Sequence, residues 1–406
     1  MTARILVLGG GFAGLWSAVG AARALDEFGI GPEGLQVTVV NRDQWHSIRV
    51  RNYEPDLNSV RVPLAEVLDP IHVDLVTGEV VGIDFASRQV TYSTGAAHRS
   101  ISYDRLVFAL GSRLVRPDIP GLGEFAFDVD TYDGAAWLNN HIQSLSAQPR
   151  SPGQYTALVV GAGLTGIEAA TELLGKLRAA GAAAPRVILA DHQPRIGSDM
   201  GDAACHVIGE ALASLGVATR TGVAISAIDR FGATLSTGEK IPAATIVWCA
   251  GMRANPLTEL FPVKRDRFGR VPVDDFMRVE GMADTFAAGD AAHAIVDDRR
   301  SSVMSCQHAR PMGRFAGHNV VCDLLGKPML PLRIDWYTTI LDLGPWGAVY
   351  TEGWHRRVVT TGAAAKRTKQ LINCERIYPP SSGDRRQIFD AAAPVVQKPP
   401  PQFARG

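Results

Sequence analysis

The 406-residue chain has no surplus of either charge: 41 Lys and Arg stand against 41 Asp and Glu. A basic footprint is therefore missing, and no nucleic-acid partner is expected. Cysteine is scarce and scattered. The five (Cys205, Cys249, Cys306, Cys322, Cys374) are odd in number, none precedes residue 205, and none forms a C-x-x-C or other metal-ligating spacing. This pattern gives no disulfide framework and no metal site, and it points to a reducing, cytoplasmic setting. Long apolar runs are lacking too. No stretch approaches the roughly 20 uninterrupted apolar residues of a spanning helix, so no integral membrane segment is expected. The opening "MTARILVLGGGFAGLWSAVGAARA" mimics a secretory signal, but its triple glycine would make a poor signal helix.

What is present is an ordinary soluble-enzyme composition, 46% hydrophobic and 20% charged, in a chain long enough for two or three domains. The segment "ARILVLGGGFAGLWSAVGAARAL" reads as a short buried strand, a glycine turn and an Ala-rich helix. Gly9, Gly11 and Gly14 stand in G-x-G-x-x-G register around Phe12 and Ala13. Gly9 permits the tight turn, Gly11 lets a pyrophosphate approach the backbone, and Gly14 lets helix and strand pack closely. Freed amides at the helix start then bind phosphate. The next strand, "LQVTVVN", ends at Asn41, where an acid would grip a ribose.

The pattern returns in "YTALVVGAGLTGIEAATELL", with Gly161, Gly163 and Gly166 around Leu164 and Thr165. Its partner strand "RVILAD" ends in Asp191, which favours NADH because a carboxylate bonds a ribose 2′-OH and repels a 2′-phosphate. Arg195 nearby leaves NADPH open, and a solvated strand-end acid is the plainer reading of Asp191. "YDRLVFALGS" and "ATIVWCAG" read as strands returning to each nucleotide, bringing Ala109, Gly111 and Gly251 there. In "TFAAGDAAHA", Asp290 follows Gly289 at the end of a further strand; otherwise it would be a helix N-cap.

In this order the motifs resemble the two-dinucleotide-binding-domain flavoproteins of the glutathione-reductase-like superfamily. The resemblance implies an α/β fold of two Rossmann-like domains, one for FAD and one for NAD, with a small C-terminal α+β piece. The FAD domain would comprise 1–126 and 254–328, the NAD(P)H domain 127–253, the C-terminal domain 329–390, and a disordered Pro-rich tail 391–406. The first glycine turn would hold the FAD pyrophosphate, the second NAD(P)H, and Asp290 the ribityl–pyrophosphate region.

Finer wording is similar to the type II NADH dehydrogenase (NADH:quinone oxidoreductase) family over residues 3–325. "VTVVNRDQWH" supplies Arg42 and His46, "GAGLTGIEAATEL" supplies Glu168 and Glu172, and "GEKIPAATIVWCAGMRANPL" follows the same pattern. Arg42 would then lie near the FAD adenine–ribose end and Glu168 at the flavin–nicotinamide contact. In "CQHARPMG", Gln307 and Gly313 match the family's A-Q-x-A-x-Q-Q-G helix, while Pro311 and Met312 replace its Gln pair. Gln307 and His308 are placed at the flavin, and Glu168 and Gln307 are the catalytic candidates. No two cysteines lie closer than sixteen residues, so a dithiol relay is excluded and electrons must leave the flavin directly.

The function implied is an FAD-dependent NADH oxidoreductase that passes hydride from NADH to FAD and electrons on to a quinone or quinone-like acceptor. The alternatives are a ferredoxin- or rubredoxin-type reductase, or an NADH-sensing flavoprotein like apoptosis-inducing factor. The C-terminus shows no long amphipathic stripe, and "KRTKQLIN" (366–373) is short and mixed. Peripheral contact at the inner face of the membrane and a homodimer are both left open.

Several residues carry a second reading. Glu168 near a helix start is also a good structural acid, and Glu172 reads as structural. A structural hydrogen bond is favoured over catalysis for His46. Arg49 and Arg51 would face an anionic acceptor or solvent. Trp336, Trp346 and Trp354 would be core aromatics or a lid over the flavin. Cys306 and His308, two apart, point about 200° apart on a helix and form no dyad. Ala309, Gly313 and Gly317 make a small-residue face expected against the flavin, with Pro311 expected to kink or start the helix.

Overall fold

The computed structural model describes residues 3–31 and 33–401. Two parallel sheets are built in the same way. The first contains β1 (Ala3–Leu8), β2 (Leu35–Asn41), β3 (Asp74–Thr77), β4 (Arg105–Phe108) and the strand Thr285–Ala287. Their spatial order is Thr285–Ala287, β4, β1, β2, β3, all parallel. The central strands are apolar without alternation because both faces are packed: the helices 12–27 and 306–324 lie on them, and Val80, Val90 and Tyr92 of an antiparallel meander (79–102) join the same core. Ile5 to Leu8 and Leu106 to Phe108 are fully buried.

The second sheet lies wholly within one intervening stretch. It comprises β5 (Ala126–Phe127), β6 (Thr156–Val160), β7 (Arg186–Ala190), β8 (Ala218–Arg220) and β9 (Thr245–Trp248), in the order β5, β9, β6, β7, β8. Helix α1 (Phe12–Glu27) links β1 to β2, and α2 (Leu164–Ala179) links β6 to β7 in the same manner.

Helix α3 (Cys306–Leu324) runs along α1. Two residues of its small-residue face, Gly313 and Gly317, abut the backbone of α1. A Cβ on Gly313 would sit 2.3 Å from the Ala13 carbonyl oxygen, and one on Gly317 would sit 2.1 Å from that of Ser17. The helices touch along their main chains, which only glycine allows. Pro311 neither starts nor ends α3, which begins at Cys306. It lacks the amide that would bond the Gln307 carbonyl. Pro311 and Met312, the two departures from the family wording, are both buried.

The C-terminal piece is an antiparallel sheet of β10 (Thr338–Asp342), β11 (Ala348–Glu352) and β12 (Arg357–Thr361), followed by α4 (Gly362–Leu371). Leu341, Leu343 and Val349 join the core of the second sheet's domain, whereas Leu332, Ile334, Ile388 and Phe389 join the first. The piece therefore braces both domains. The expected disorder of the tail does not hold through Pro401. Val395 O, Gln397 Oε1, Lys398 O and Pro401 O accept hydrogen bonds from Arg314, Arg310, Arg376 and Thr368. Residues 402–406 lie outside the described residues. No helix among the described residues is long and apolar enough to cross a membrane.

Candidate active site

The two glycine turns superimpose in role, atom for atom. Gly9 has φ +103° and Gly161 φ +100°, a region that L side chains rarely adopt. Their amides donate to the Val40 and Ala190 carbonyls, both at 2.8 Å. A Cβ on Gly14 would lie 1.8 Å from the Gly9 oxygen, and one on Gly166 lies equally close to that of Gly161. Gly11 and Gly163 differ: apart from their chain neighbours, a Cβ at either meets no atom of the described residues within 4 Å. They are the exposed positions where each helix start, Phe12–Ala13 or Leu164–Thr165, presents free amides outward. Ala109 bonds back to β1 through its amide and the Leu8 oxygen at 3.0 Å, while Gly111 and Gly251 have left-handed φ at the rims.

The strand-end residues Asn41 and Asp191 do equivalent work. Asn41 Oδ1 accepts from the Gly10 amide at 2.8 Å, and Asp191 Oδ2 accepts from the matching Ala162 amide. Asn41 Nδ2 also donates to the Asp43 carbonyl at 2.8 Å, and Asp191 Oδ1 accepts from the Gln193 amide at 2.7 Å. Asp191 is buried, so the solvated reading fails. Arg42 is exposed and pairs with Asp43 at 3.4 Å.

Asp290 sits in a short turn, Gly289–Ala291, facing Ser112 and Arg49. Ser112 Oγ donates to Asp290 Oδ2 at 2.6 Å, and Arg49 Nη1 donates to Ser112 Oγ at 2.9 Å. Burial pushes the Asp290 carboxyl up, with Arg49 opposing. Arg49 is half-buried, and its other nitrogen holds Asp130. Arg51 is likewise engaged, forked on Glu54 and bonded to Tyr378. His46 is buried with Nδ1 on the Gly10 carbonyl at 2.8 Å and its ring against Phe12. Burial lowers it to about 4, which suits a neutral strut.

At the start of α3, Gln307 Oε1 accepts from Thr338 Oγ1 at 3.4 Å. Gln307 Nε2 and Ser305 Oγ are buried without a partner among the described residues. His308 is fully buried, and its Nδ1 accepts from the Val303 amide at 3.0 Å. Its ring abuts Tyr337 and Trp354, which stack with centroids 4.5 Å apart. Trp354 is thus a packing aromatic. Trp346 packs on the second domain's core and Trp336 is half-buried. Cys306 and all other cysteines are free.

Glu168 brings in residues that sequence reasoning passed over. Buried in the first turns of α2, it accepts from Lys369 Nζ at 2.7 Å and from the Asp342 amide at 3.1 Å. Lys369 also donates to the Ile340 carbonyl at 3.1 Å. Asp342 in turn meets Lys366 Nζ and, at 3.2 Å, Tyr53 Oη. Burial pushes the Glu168 carboxyl up, while the Lys369 ammonium opposes the rise. The signal was available: Lys366 and Lys369 are three apart on α4, within the "short and mixed" stretch. Glu172 faces Lys366 at 3.9 Å, a supporting position.

Comparison with known proteins agrees with this architecture. The family model described as pyridine nucleotide-disulphide oxidoreductase matches residues 3–313. An NADH dehydrogenase-like protein of Mycobacterium tuberculosis is 57% identical over 401 residues, covering 98% of this chain and 100% of that protein. The demethylphylloquinone reductase of Synechocystis is 26% identical, covering 91% of each. In fold, NDH2 from Plasmodium falciparum in complex with NADH matches with a TM-score of 0.78 at 12% identity, covering 97% of this chain and 98% of that one. Two glycine cradles on two parallel sheets, a matching family model and full-length relatives converge: the chain belongs to the pyridine nucleotide-disulphide oxidoreductase family, as an NADH dehydrogenase-type enzyme, a membership that implies flavin and nicotinamide cofactors.

Proposed function

We propose that the enzyme takes FAD in the first cradle and NADH in the second, and passes the electrons directly to a quinone or quinone-like acceptor. The carrying observation is the pair of glycines, Gly11 and Gly163, that open outward from the chain while their neighbours are locked by backbone contacts. Gln307 Nε2 and Ser305 Oγ, buried beside α3 without partners among the described residues, fit an isoalloxazine that offers them hydrogen-bond acceptors. When bound, FAD supplies the two-electron relay between nicotinamide and acceptor.

On this reading the amides of Gly11–Ala13 hold the FAD pyrophosphate, with Asn41 fixing the turn, Arg42 at its rim and Asp290 toward the ribityl chain. Ala109 and Gly111 line the same edge. Gly163–Thr165 hold the pyrophosphate of NADH, with Asp191 bracing that turn and Gly251 at its rim. His308 supports the flavin wall through the Tyr337–Trp354 stack. Alignment of this kind contributes several kcal/mol to catalysis, on the order of 7–11 where orientation is complete. Reducing a quinone to a quinol with NADH consumes one further proton. Glu168, on the helix that opens at the NADH turn, and its partner Lys369 hold a proton at Nζ at the flavin–nicotinamide end of the site.

The purified protein should be yellow, and anaerobic NADH should bleach it. Stopped-flow mixing of the reduced enzyme with a soluble quinone, a ferredoxin and oxygen then assigns the acceptor. Fastest reoxidation by the quinone is the expected result. A colourless protein that takes up no added FAD would refute the cofactor assignment.

A further inference from the structure

Helix α3 carries two arginines that the proposed function leaves unused. Arg310 and Arg314 are one turn apart and only 7% and 1% exposed. Both guanidiniums lie against the Trp16 ring, 5.2 and 4.6 Å from its centroid. Neither has a carboxylate partner among the described residues; their acceptors are neutral. Arg310 Nη1 donates to Gln397 Oε1 at 3.0 Å, and Arg314 Nη1 reaches the Val395 carbonyl at 3.5 Å. Arg310 Nε, Arg314 Nε and Arg314 Nη2 are buried with no hydrogen-bond partner among the described residues. Two like charges so placed repel each other and forgo solvation, a costly arrangement unless something answers them. Burial accordingly drives both guanidiniums down, to about 10 and about 9.

Arg51 shows within the same chain what completes such a group. It is also buried, yet its Nε and Nη2 edge grips Glu54, with contacts at 2.9 and 3.0 Å from Nε and 2.6 Å from Nη2. Its basicity is raised, with the Glu54 hydrogen bond as the leading cause. The unpartnered nitrogens of Arg314 are the same two. That edge matches the spacing of two oxygens on one carboxylate or phosphate.

The position adjoins the first glycine turn, where the Arg310 charge acts on His46, but its unpartnered Arg314 edge lies deeper along α1. Phe12 opens α1 at the cradle, Trp16 is one turn further in, and the Arg314 carbonyl faces Gly20 two turns in. The cover is the strap 393–401, tied down at Lys398 O by Arg376 at 2.7 Å and at Pro401 O by Thr368 at 3.4 Å. The cover is thin, for Val395 itself is 56% exposed.

We propose that Arg310 and Arg314, beneath the 393–401 strap, form a binding site for a small oxyanion, a carboxylate or phosphate group seated on the Nε/Nη2 edge of Arg314 and on Arg310 Nε.

The test uses the FAD-saturated protein, full chain, in chloride, acetate, benzoate or inorganic phosphate at matched ionic strength. The wild type should show a saturable rise in melting temperature of about 2 °C or more in a carboxylate or in phosphate over chloride. The responding salt identifies the source: acetate or benzoate a carboxylic acid, phosphate a phosphate ester. Gln397→Glu supplies a carboxylate to Arg310 from the strap and should melt higher than wild type in chloride while losing the response. Arg314→Met, which keeps volume and removes the fork, should lose the response too. No oxyanion effect in the wild type, or an equal effect in Gln397→Glu, overturns the proposal. Should Arg314→Met fail to fold, the Gln397→Glu comparison decides alone.

Discussion

Lys369 Nζ and Glu168 Oε1 lie 2.7 Å apart across a sequence separation of 201 residues, joining the nucleotide helix α2 to the C-terminal helix α4. Both side chains are buried, so each ion depends on the other. Removing one partner of such a pair costs about 3–5 kcal/mol, because the remaining charge stays buried and uncompensated. Lys369→Met should therefore lose stability in that range by denaturant unfolding, whereas the double variant Glu168→Gln/Lys369→Met should recover most of it. Equal losses in both would mean that packing, and not charge, holds the helices together.

The glycine turns separate ligand contacts from fold contacts. Gly166→Ala drives a methyl to 1.8 Å from a backbone oxygen, so the turn must shift; a destabilisation of about 3 kcal/mol is expected. Gly163→Ala meets none of the described residues beyond its chain neighbours and has an ordinary negative φ, so stability should stay within about 0.5 kcal/mol of wild type. Its effect should fall on NADH instead, as a rise in KM of roughly tenfold, about 1.4 kcal/mol, in steady-state kinetics.

His46 and His308 make stability fall in mild acid. Burial lowers both from 6.5 to about 4, so between those values the unfolded chain binds more protons than the native one. The stabilising contribution is complete above pH 6.5 and is lost as pH falls toward 4. Each histidine contributes about 1.4 kcal/mol per pKa unit. Denaturant titrations at pH 7, 6 and 5 should show the decline, and His46→Asn should make it shallower.

Asn41 occupies a position where an acid grips a ribose in related turns, and its surroundings explain the amide. Nδ2 donates to the Asp43 carbonyl at 2.8 Å and lies 3.3 Å from Asp43 Oδ1. Asn41→Asp would replace that donor with a second negative group facing Asp43. A loss of about 1–3 kcal/mol is expected in thermal or denaturant unfolding, together with weaker FAD retention on dialysis.

What could be read from residues alone was what local backbone geometry dictates. Gly9, Gly161, Gly14 and Gly166 each sit where a side chain is excluded by φ or by a carbonyl in the same turn, so their spacing carries the two-cradle architecture without help from distant residues. The acid-or-amide at each strand end was legible for the same reason. The close approach at Gly313 and Gly317 was legible, but not that the backbone of α1 is what they meet, because small residues admit any backbone. The Pro-rich tail read as disordered because composition reports only the lack of apolar burial, whereas its order comes from Arg310, Arg314, Arg376 and Thr368 elsewhere in the chain. The lysine spacing on α4 was legible, but not the partners it meets, Glu168 for Lys369 and Asp342 for Lys366, because those lie far away in the sequence. The sequence by itself determined the two glycine turns and the absence of any closely spaced cysteine pair. Tertiary structure alone decided which charges meet, because attraction across 201 residues depends on where the chain returns and not on what surrounds each residue in the sequence.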